Sequence, residues 1–464
     1  MPLAAVILAA GQGTRMKSAL PKVLHPVAGR PMIEYVLDAV RGAGADRVIV
    51  VVGYEAGAVE ALLTDRVEAV RQPEQLGTGH AVLQAGPLLT GYDGDILVLC
   101  GDTPLVTAED LLTLVRAHRG AKVAATVLTA ELSKPEGYGR IIRDAGGGVT
   151  GIVEQKDAGP AELAVREVNS GIYCFAAGAL FDALAELTPD NAQGEYYLTD
   201  CVRRLKEAGQ GVFAVRIPVA TRISGINTRV QLARVEALMR REIVERLMLS
   251  GVTVPDPSSI FIDAGVRVGR DSVVYPFTFL EGQTVVGERC RIGPGARLVD
   301  ATLADGVEVQ YAVVKGSSLA SGVTVGPFAY IRPDCAIGEG VKVGDFVELK
   351  KSVIGPGSKV PHLSYIGDAT LGENVNIGAG TITCNYDGRR KWPTRIGSRS
   401  FIGSNTNLVA PVNIGEEAVT GAGSTITRDV PDGALGVARA RQENLPGWSG
   451  RQSGLIKKSF PPDE

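Results

Sequence analysis

The sequence predicts two unlike folds in one chain. A Rossmann-like α/β domain spans residues 1–226, and a left-handed parallel β-helix of hexapeptide repeats spans 251–445; a long helix over 227–250 joins them and a flexible tail follows over 446–464. Three observations predict this. Strand-like apolar runs alternate with helical segments in the first half. Apolar-glycine pairs recur at six-residue spacing in the second half. Between the two, Val235, Met239, Ile243 and Leu247 recur every four residues among Arg and Glu, and the chain then meets Pro255 and Pro257. A chain of 464 residues is also too long for one ordinary core.

In the first half, strands are expected at Ala4–Leu8, Val48–Val52, Ile96–Cys100, Val123–Thr129, Gly171–Phe175 and Val212–Ile217. Helices are expected at Met32–Val40, Ala56–Leu63, Ala108–Arg119 and Tyr197–Ala208. Such alternation reads as a doubly wound, largely parallel sheet, whose ligands bind beyond the carboxyl ends of the strands. The turn at Gly11 and the pair Gly101-Asp102 both follow strands, so both are expected to line one crevice. The first strand runs into Leu8-Ala9-Ala10-Gly11-Gln12-Gly13-Thr14-Arg15-Met16, followed by Pro21-Lys22. A glycine turn after a strand exposes backbone N–H groups that can cradle phosphate oxygens. Arg15 and Lys22 add the positive charge that phosphoryl chemistry requires. No Gly-Lys-Ser/Thr follows, which excludes a Walker A loop, and Met16 stands where a dinucleotide fold would place its third glycine.

In the second half the pairs include Val268-Gly269, Val286-Gly287, Ile292-Gly293, Val325-Gly326, Ile337-Gly338, Val343-Gly344, Ile354-Gly355, Ile377-Gly378, Ile396-Gly397, Ile402-Gly403 and Ile414-Gly415. A hexapeptide prism stacks its inward Ile, Val and Leu into ladders, and glycine is expected at the tight corners. The six-residue register disfavours the alternative, a glycine-rich β-sandwich. Thr383 to Arg395 breaks the register and is expected to be an inserted loop, where solenoids often carry a binding face.

Net charge of −3 argues against an extended nucleic-acid-binding surface. Six scattered cysteines contain no C-x-x-C pair, so neither a zinc site nor a disulfide framework is indicated, and free thiols in a cytoplasmic setting are expected. The N-terminal apolar stretch lacks a basic flank and leads straight into the glycine turn, so it does not read as a signal peptide. No apolar run is long enough for membrane insertion.

Six motifs together carry a resemblance over nearly the whole length. They are Leu8–Met16; Pro21-Lys22-Val23-Leu24-His25; Gln75-Leu76-Gly77-Thr78-Gly79-His80; Gly137-Tyr138-Gly139-Arg140; Asn191-Ala192-Gln193-Gly194-Glu195-Tyr196-Tyr197; and Asn374 to Gly388. The chain resembles the bacterial bifunctional N-acetylglucosamine-1-phosphate uridyltransferase/glucosamine-1-phosphate N-acetyltransferases. The resemblance implies a nucleotidyltransferase front domain that joins UTP to N-acetylglucosamine 1-phosphate with release of pyrophosphate, an in-line displacement resting on positioning and charge neutralisation. It implies Mg²⁺ held by Asp102 and Asn227. On the residues alone, a turn aspartate before Pro104 and a cap of the following helix are the favoured readings. It implies that Gln72, Gly77 and Thr78 hold uracil, helped by the Leu8, Ala9, Ala10 and Gly11 backbone. Gly139, Glu154 and Asn169 would hold the acetylated sugar, with Arg15 and Lys22 on phosphates. Where the family often carries tyrosine, this chain has Cys100.

The same resemblance implies a second site in the β-helix. His362, in Pro361-His362-Leu363-Ser364-Tyr365, would take the proton of the amine of glucosamine 1-phosphate as it attacks acetyl-CoA; neutral imidazole suits that task. Arg332 and Lys350 would contact the sugar phosphate; Tyr365, Asn376 and Lys391 the sugar and acceptor amine; Asn385 and Tyr386 the thioester. Ala379, Ser404, Ala422 and Arg439 would contact acetyl-CoA. Glu348 is a further candidate for orienting the site, and Cys384 is expected to be a small packed side chain. A homotrimer is implied, because shallow prism walls need a neighbour to close a pocket. Two other readings stay open on sequence: a single-function nucleotidyltransferase with a scaffolding β-helix, and a purely structural trimer. His362, Asn385 and Lys391 speak against the first; Arg15, Lys22 and Asp102 against the second.

Overall fold

Apolar runs buried on both faces of a sheet organise the first half of the chain. The computed structural model describes residues 1–64 and 66–449, so residues 450–464 of the expected tail lie outside the described residues. Two compact units emerge: Met1–Glu245 with Ile262–Ala264, and Arg246–Phe261 with Gly265 onward.

Among the described residues, the main sheet of the first unit has nine strands: β1 (Leu3–Ala9), β2 (Arg47–Val52), β3 (Glu68–Arg71), β4 (Asp95–Cys100), β5 (Ala125–Glu131), β6 (Arg140–Arg143), β7 (Val149–Val153), β8 (Glu167–Ala176) and β9 (Val212–Arg216). Their order across the sheet is β9-β5-β8-β4-β1-β2-β3, with β6 and β7 as a hairpin beside β8. Ala5, Ile7, Leu97 and Leu99 enter the core on one face; Ala4, Val6, Ile96 and Val98 enter the core on the other. Burial on both faces is why these strands read as unbroken apolar runs.

The sheet is less parallel than the sequence predicts. β1 pairs in parallel with β2 and β4, but β8 runs antiparallel to both β4 and β5. Parallel neighbours need a crossover, whereas β8 is reached through the β6–β7 hairpin, which reverses the chain. That hairpin and β3 escaped prediction because charged residues and glycine interrupt their apolar alternation. Helices α1 (Met32–Gly42), α2 (Ala56–Glu60), α3 (Thr78–Leu83), α4 (Ala108–Ala121), α5 (Ala177–Ala185) and α6 (Asp200–Glu207) accompany the sheet. The second ends three residues earlier than expected, and the last begins at Asp200 rather than Tyr197. Helix α7 (Arg229–Leu249) leads onward and buries Val235, Met239, Ile243 and Leu247.

The second unit winds into a left-handed parallel β-helix whose described residues form sheets of 10, 9 and 10 strands. Each strand pairs in parallel with the one a full coil ahead. Leu280, Leu298, Val314, Ile331, Leu349 and Ile366 thus form one fully buried ladder. Buried hydroxyls replace missing corner bonds: Ser272 Oγ donates to the Gly287 carbonyl at 2.8 Å and accepts the Cys290 N–H at 2.9 Å.

Glycine has a different part here from the one expected. The left-handed corner positions are often filled by other residues, such as Asp271 at φ 59°, Arg289 at φ 54° and Asn374 at φ 54°. Gly269 instead meets the next coil, where a Cβ would lie 2.6 Å from the Gly287 carbonyl carbon. Close coil-to-coil approach, more than backbone handedness, demands glycine after the inward residue.

The insertion is also narrower than Thr383 to Arg395. Thr383 stays in a ladder with Leu408, and Arg395 pairs with Thr370 and Asn413. Between them a hairpin closes through an antiparallel bridge of Tyr386 and Lys391. Asp387 accepts the N–H groups of Arg389 and Arg390, both at 2.8 Å, and Trp392 Nε1–H at 2.7 Å. These donors hold its carboxyl down at about 2, led by the Arg390 N–H.

Two outcomes follow. Leu349→Ala should destabilise the β-helix by about 2–5 kcal/mol, read as a lowered urea midpoint of its transition. A carboxylate with a depressed pKa contributes stability above its unfolded value, and that contribution is lost as pH falls through the folded one. Trp392 emission in a Trp448→Phe background should therefore change between about pH 4 and 2, and Asp387→Asn should reproduce the change at neutral pH. A flat profile would dissociate Asp387 from hairpin order.

Candidate active sites

In the first unit, the ends of β1 and β4 open into a cavity of about 270 Å³. Leu8, Ala9, Ala10, Gly11, Lys22, Gln72, Gly77, Thr78 and Asp102 line it, as do Gln75, Cys100 and Glu195, which were not predicted as site residues. A Cβ at Gly11 would meet nothing within 4 Å, so packing within the protein does not demand glycine there, and its absence leaves the backbone approachable. Gly13 differs: its φ of 66° and a 2.7 Å approach of its would-be Cβ to Lys22 Cβ require glycine and seat the lysine.

Lys22 Nζ contacts the buried Asp102 carboxylate and donates to Asn227 Oδ1 at 3.1 Å; Arg15 Nη2 donates to the same oxygen at 3.0 Å. The helix-cap reading of Asn227 does not hold. Thr228 Oγ1 accepts the Gln231 N–H at 3.2 Å while Gln231 Oε1 accepts the Asn227 N–H at 2.8 Å. This reciprocal capping leaves the Asn227 carboxamide to face Lys22 and Arg15. Asp102, for its part, also takes the Ile226 N–H on its carbonyl at 3.0 Å, which draws the segment before α7 to the site.

Gln72 Nε2 reaches the Gly77 carbonyl at 3.2 Å and His80 Nδ1 at 3.0 Å, and Gln75 Nε2 donates to the Ala10 carbonyl at 2.8 Å. Thr78 Oγ1 accepts the Leu198 N–H at 3.0 Å, tying α3 to the chain before α6. Gly139 sits against Glu154, and its carbonyl accepts the Asn169 N–H at 2.9 Å. Burial pushes the Glu154 carboxyl up, partly offset by a hydrogen bond from Thr199. Burial likewise pushes the Cys100 thiol up to about 12, so it stays protonated. His118 is buried and bonded to Thr126 Oγ1 at 3.0 Å, a packing role.

In the second unit, side chains gather at one edge of the prism. Asp345 and His362 are register partners on adjacent coils. The Gly380 N–H points to the His362 carbonyl at 3.4 Å, Asn405 N–H to Ala379 at 2.7 Å, and Gly423 N–H to Ser404 at 2.8 Å. His362, Ala379, Ser404 and Ala422 therefore climb one edge over consecutive coils. Asn376 lies on the same sheet, paired with Lys359 and Phe401.

Around the corner from His362, the adjoining sheet aligns Glu348 with Tyr365 and Lys350 with Gly367. Arg332 Nη1 bonds Glu348 Oε1 at 2.9 Å. Lys350, buried at 8% exposure, reaches Asp368 Oδ2 at 3.3 Å, and Asn385 Nδ2 bonds the same carboxylate and lies 3.4 Å from Tyr365 Oη. Lys391 is brought alongside by the hairpin, and the neighbouring Lys350 lowers its pKa. Tyr386 is exposed, with its hydroxyl on the Gly388 carbonyl at 2.8 Å, and Arg439 is exposed beyond the last strand. Cys384 is half-buried rather than packed away.

No sequence motif points to Asp345 or Asp368. One signal could have found the first: it lies 17 residues before His362, one coil back.

Residues 5–208 match the MobA-like NTP transferase domain, residues 316–351 the bacterial transferase hexapeptide (six repeats), and residues 393–428 the hexapeptide repeat of succinyl-transferase. The chain is 61% identical to the bifunctional protein GlmU of Pelotomaculum thermopropionicum over 97% of its own length and 99% of the relative's. It is 54% identical to that of Heliobacterium modesticaldum, over 97% and 98%, and 51% identical to that of a Geobacillus species, over 98% and 99%. Similarity of this extent, spanning both the nucleotidyltransferase half and the hexapeptide half, shows that the chain belongs to the GlmU family of bifunctional enzymes.

Proposed function

We propose that the enzyme acetylates glucosamine 1-phosphate with acetyl-CoA in the β-helix, then transfers uridylyl from UTP to N-acetylglucosamine 1-phosphate in the α/β domain, releasing pyrophosphate and supplying UDP-N-acetylglucosamine for cell-envelope synthesis. The working division is uridyltransferase over 1–226, linker helix over 227–250 and acetyltransferase over 251–445. The observation that carries the reading is the edge of the prism: His362 begins a line of open backbone positions at Ala379, Ser404 and Ala422, flanked by the cations Arg332, Lys350 and Lys391. A thioester carrier laid along that line would meet an amine whose phosphate sits on the cations.

In the second unit, His362 Nε2 takes the amine proton as nitrogen attacks the thioester carbonyl, the C–S bond breaks, and CoA leaves. Arg332 and Lys350 hold the phosphate, Tyr365, Asn376 and Lys391 the sugar and amine. Asn385 donates to the developing oxyanion beside Tyr386. Ala379, Ser404, Ala422 and Arg439 hold acetyl-CoA.

In the first unit, Gln72, Gly77 and Thr78 hold uracil against the Leu8–Gly11 backbone. Gly139, Glu154 and Asn169 hold the acetylated sugar, and Arg15 and Lys22 clamp phosphates. The donor set fits Mg²⁺. Lys22 Nζ stands between Asp102 and Asn227 Oδ1, so a cation already bridges two hard oxygens there. Asp102 and Asn227 would hold the ion, which supplies neutralisation of phosphate charge when bound. Exposed Tyr311, Phe328, Phe346 and Leu363 form an apolar row on successive coils that runs up to the His362 corner, which supports a homotrimer closing the acetyltransferase pocket. The six free cysteines support the cytoplasmic setting, and among the described residues no helix is long and apolar enough to cross a membrane.

His362→Ala should abolish acetyl transfer while pyrophosphate release from UTP and N-acetylglucosamine 1-phosphate continues. Asp102→Ala should do the reverse, with a fall of at least about 100-fold in Mg²⁺-dependent uridylyl transfer. Mass spectrometry of products from glucosamine 1-phosphate, acetyl-CoA, UTP and Mg²⁺ reads both; loss of both activities in either variant would contradict two separate sites.

A further inference from the structure

The carboxylate that touches His362 is neither the nearby Glu348 nor any residue singled out from the sequence. Glu348 Oε1 is bonded to Arg332. The partner is Asp345, whose Oδ1 lies 2.7 Å from His362 Nδ1. Backbone geometry fixes the pair as firmly as the side chains do. Asp345 ends the strand Lys342–Asp345, His362 ends the strand Lys359–His362, and the two residues face each other in a parallel ladder. The next residue closes the arrangement, with Leu363 N–H on the Asp345 carbonyl at 3.0 Å.

The chemical consequence follows from donor and acceptor counts. A carboxylate only accepts, and a neutral imidazole has one N–H and one lone pair. Contact with Asp345 therefore puts the proton on Nδ1 and the lone pair on Nε2. Hydrogen bonding to His362 holds the Asp345 carboxyl below its ordinary range, so it is ionised wherever the imidazole is neutral. When Nε2 takes the amine proton, the resulting imidazolium stands beside a negative charge already in place. No proton need pass to Asp345; the proton on Nε2 is later released to the departing thiolate or to solvent.

The geometry points to Asp345 as the positioning residue of the acetyl-transfer reaction, setting the tautomer and orientation of His362 from one coil away. The inference rests on the reading of His362 as the base, and the experiment separates the two. Full-length Asp345→Asn, Asp345→Glu and His362→Ala are compared for kcat and KM of acetyl transfer to glucosamine 1-phosphate, with uridylyl transfer as the control for folding. Asparagine keeps the shape but can present an N–H to Nδ1, which favours the wrong tautomer. Asp345→Asn should lower kcat at least about tenfold with both KM values within about twofold of the parent. Asp345→Glu should recover part of the loss, and uridylyl transfer should be unchanged in all three. If Asp345→Asn turns over like the parent while His362→Ala is inactive, the role given to Asp345 is wrong and the base stands. If His362→Ala remains active, the base itself is wrong and the inference falls with it. Raised KM values with no recovery by glutamate would make Asp345 a structural residue only.

Discussion

The parallel register of the β-helix is the constraint on which the second active centre depends. Most coils return the chain to the same edge after 16 to 18 residues, as in the pairings of Leu298 with Val314, Asp345 with His362 and Val273 with Arg291, and the coil that carries the hairpin takes 25, as from Asn376 to Phe401. A parallel ladder fixes the spacing of neighbours and their outward direction together. Groups scattered over roughly eighty residues of sequence thereby become a single column. The buried ladder through Leu280, Leu349 and Ile366 packs inside the prism beneath that column, and Gly269 and its equivalents let the coils approach closely enough for it to form.

The first active centre is built on different physics. There the sheet supplies a crevice, and electrostatics organises its mouth. Lys22 contacts the Asp102 carboxylate and the Asn227 oxygen, while Arg15 shares Asn227. Three distant parts of the chain meet through these contacts: the glycine turn, the end of β4, and the residue before the cap of α7. For the proposed clamp on phosphate this arrangement would need little rearrangement, since both cations are already aimed at Asn227 Oδ1. Gly13 contributes by packing on Lys22, so the glycine turn positions a charge as well as exposing backbone.

The two halves use carboxylates in one way: each holds a cation, or a group about to become one, in a fixed direction. Asp102 does so for Lys22, Asp368 for Lys350, Glu348 for Arg332 and Asp345 for His362. Buried or crowded charge requires such partners. In the β-helix the hairpin adds Lys391 next to Lys350, and a hydrogen bond with Lys350, followed by repulsion from its charge, lowers the pKa of Lys391. An anionic sugar phosphate would relieve that repulsion.

Periodicity and glycine placement made both fold types legible, because local spacing alone separates a six-residue prism from strand–helix alternation. The glycine turn Leu8–Met16 was legible as a compact signature, whereas Asp102 and His362 were picked out only through the resemblance. Pairing across the chain was not legible. The antiparallel course of β8, the capping of α7 by Thr228 rather than Asn227, and the choice of Asp345 over Glu348 as the partner of His362 were decided only in three dimensions. Each depends on a contact whose free energy comes from residues brought together by the fold, and no local pattern of side chains encodes which of two nearby polar groups will win such a contact.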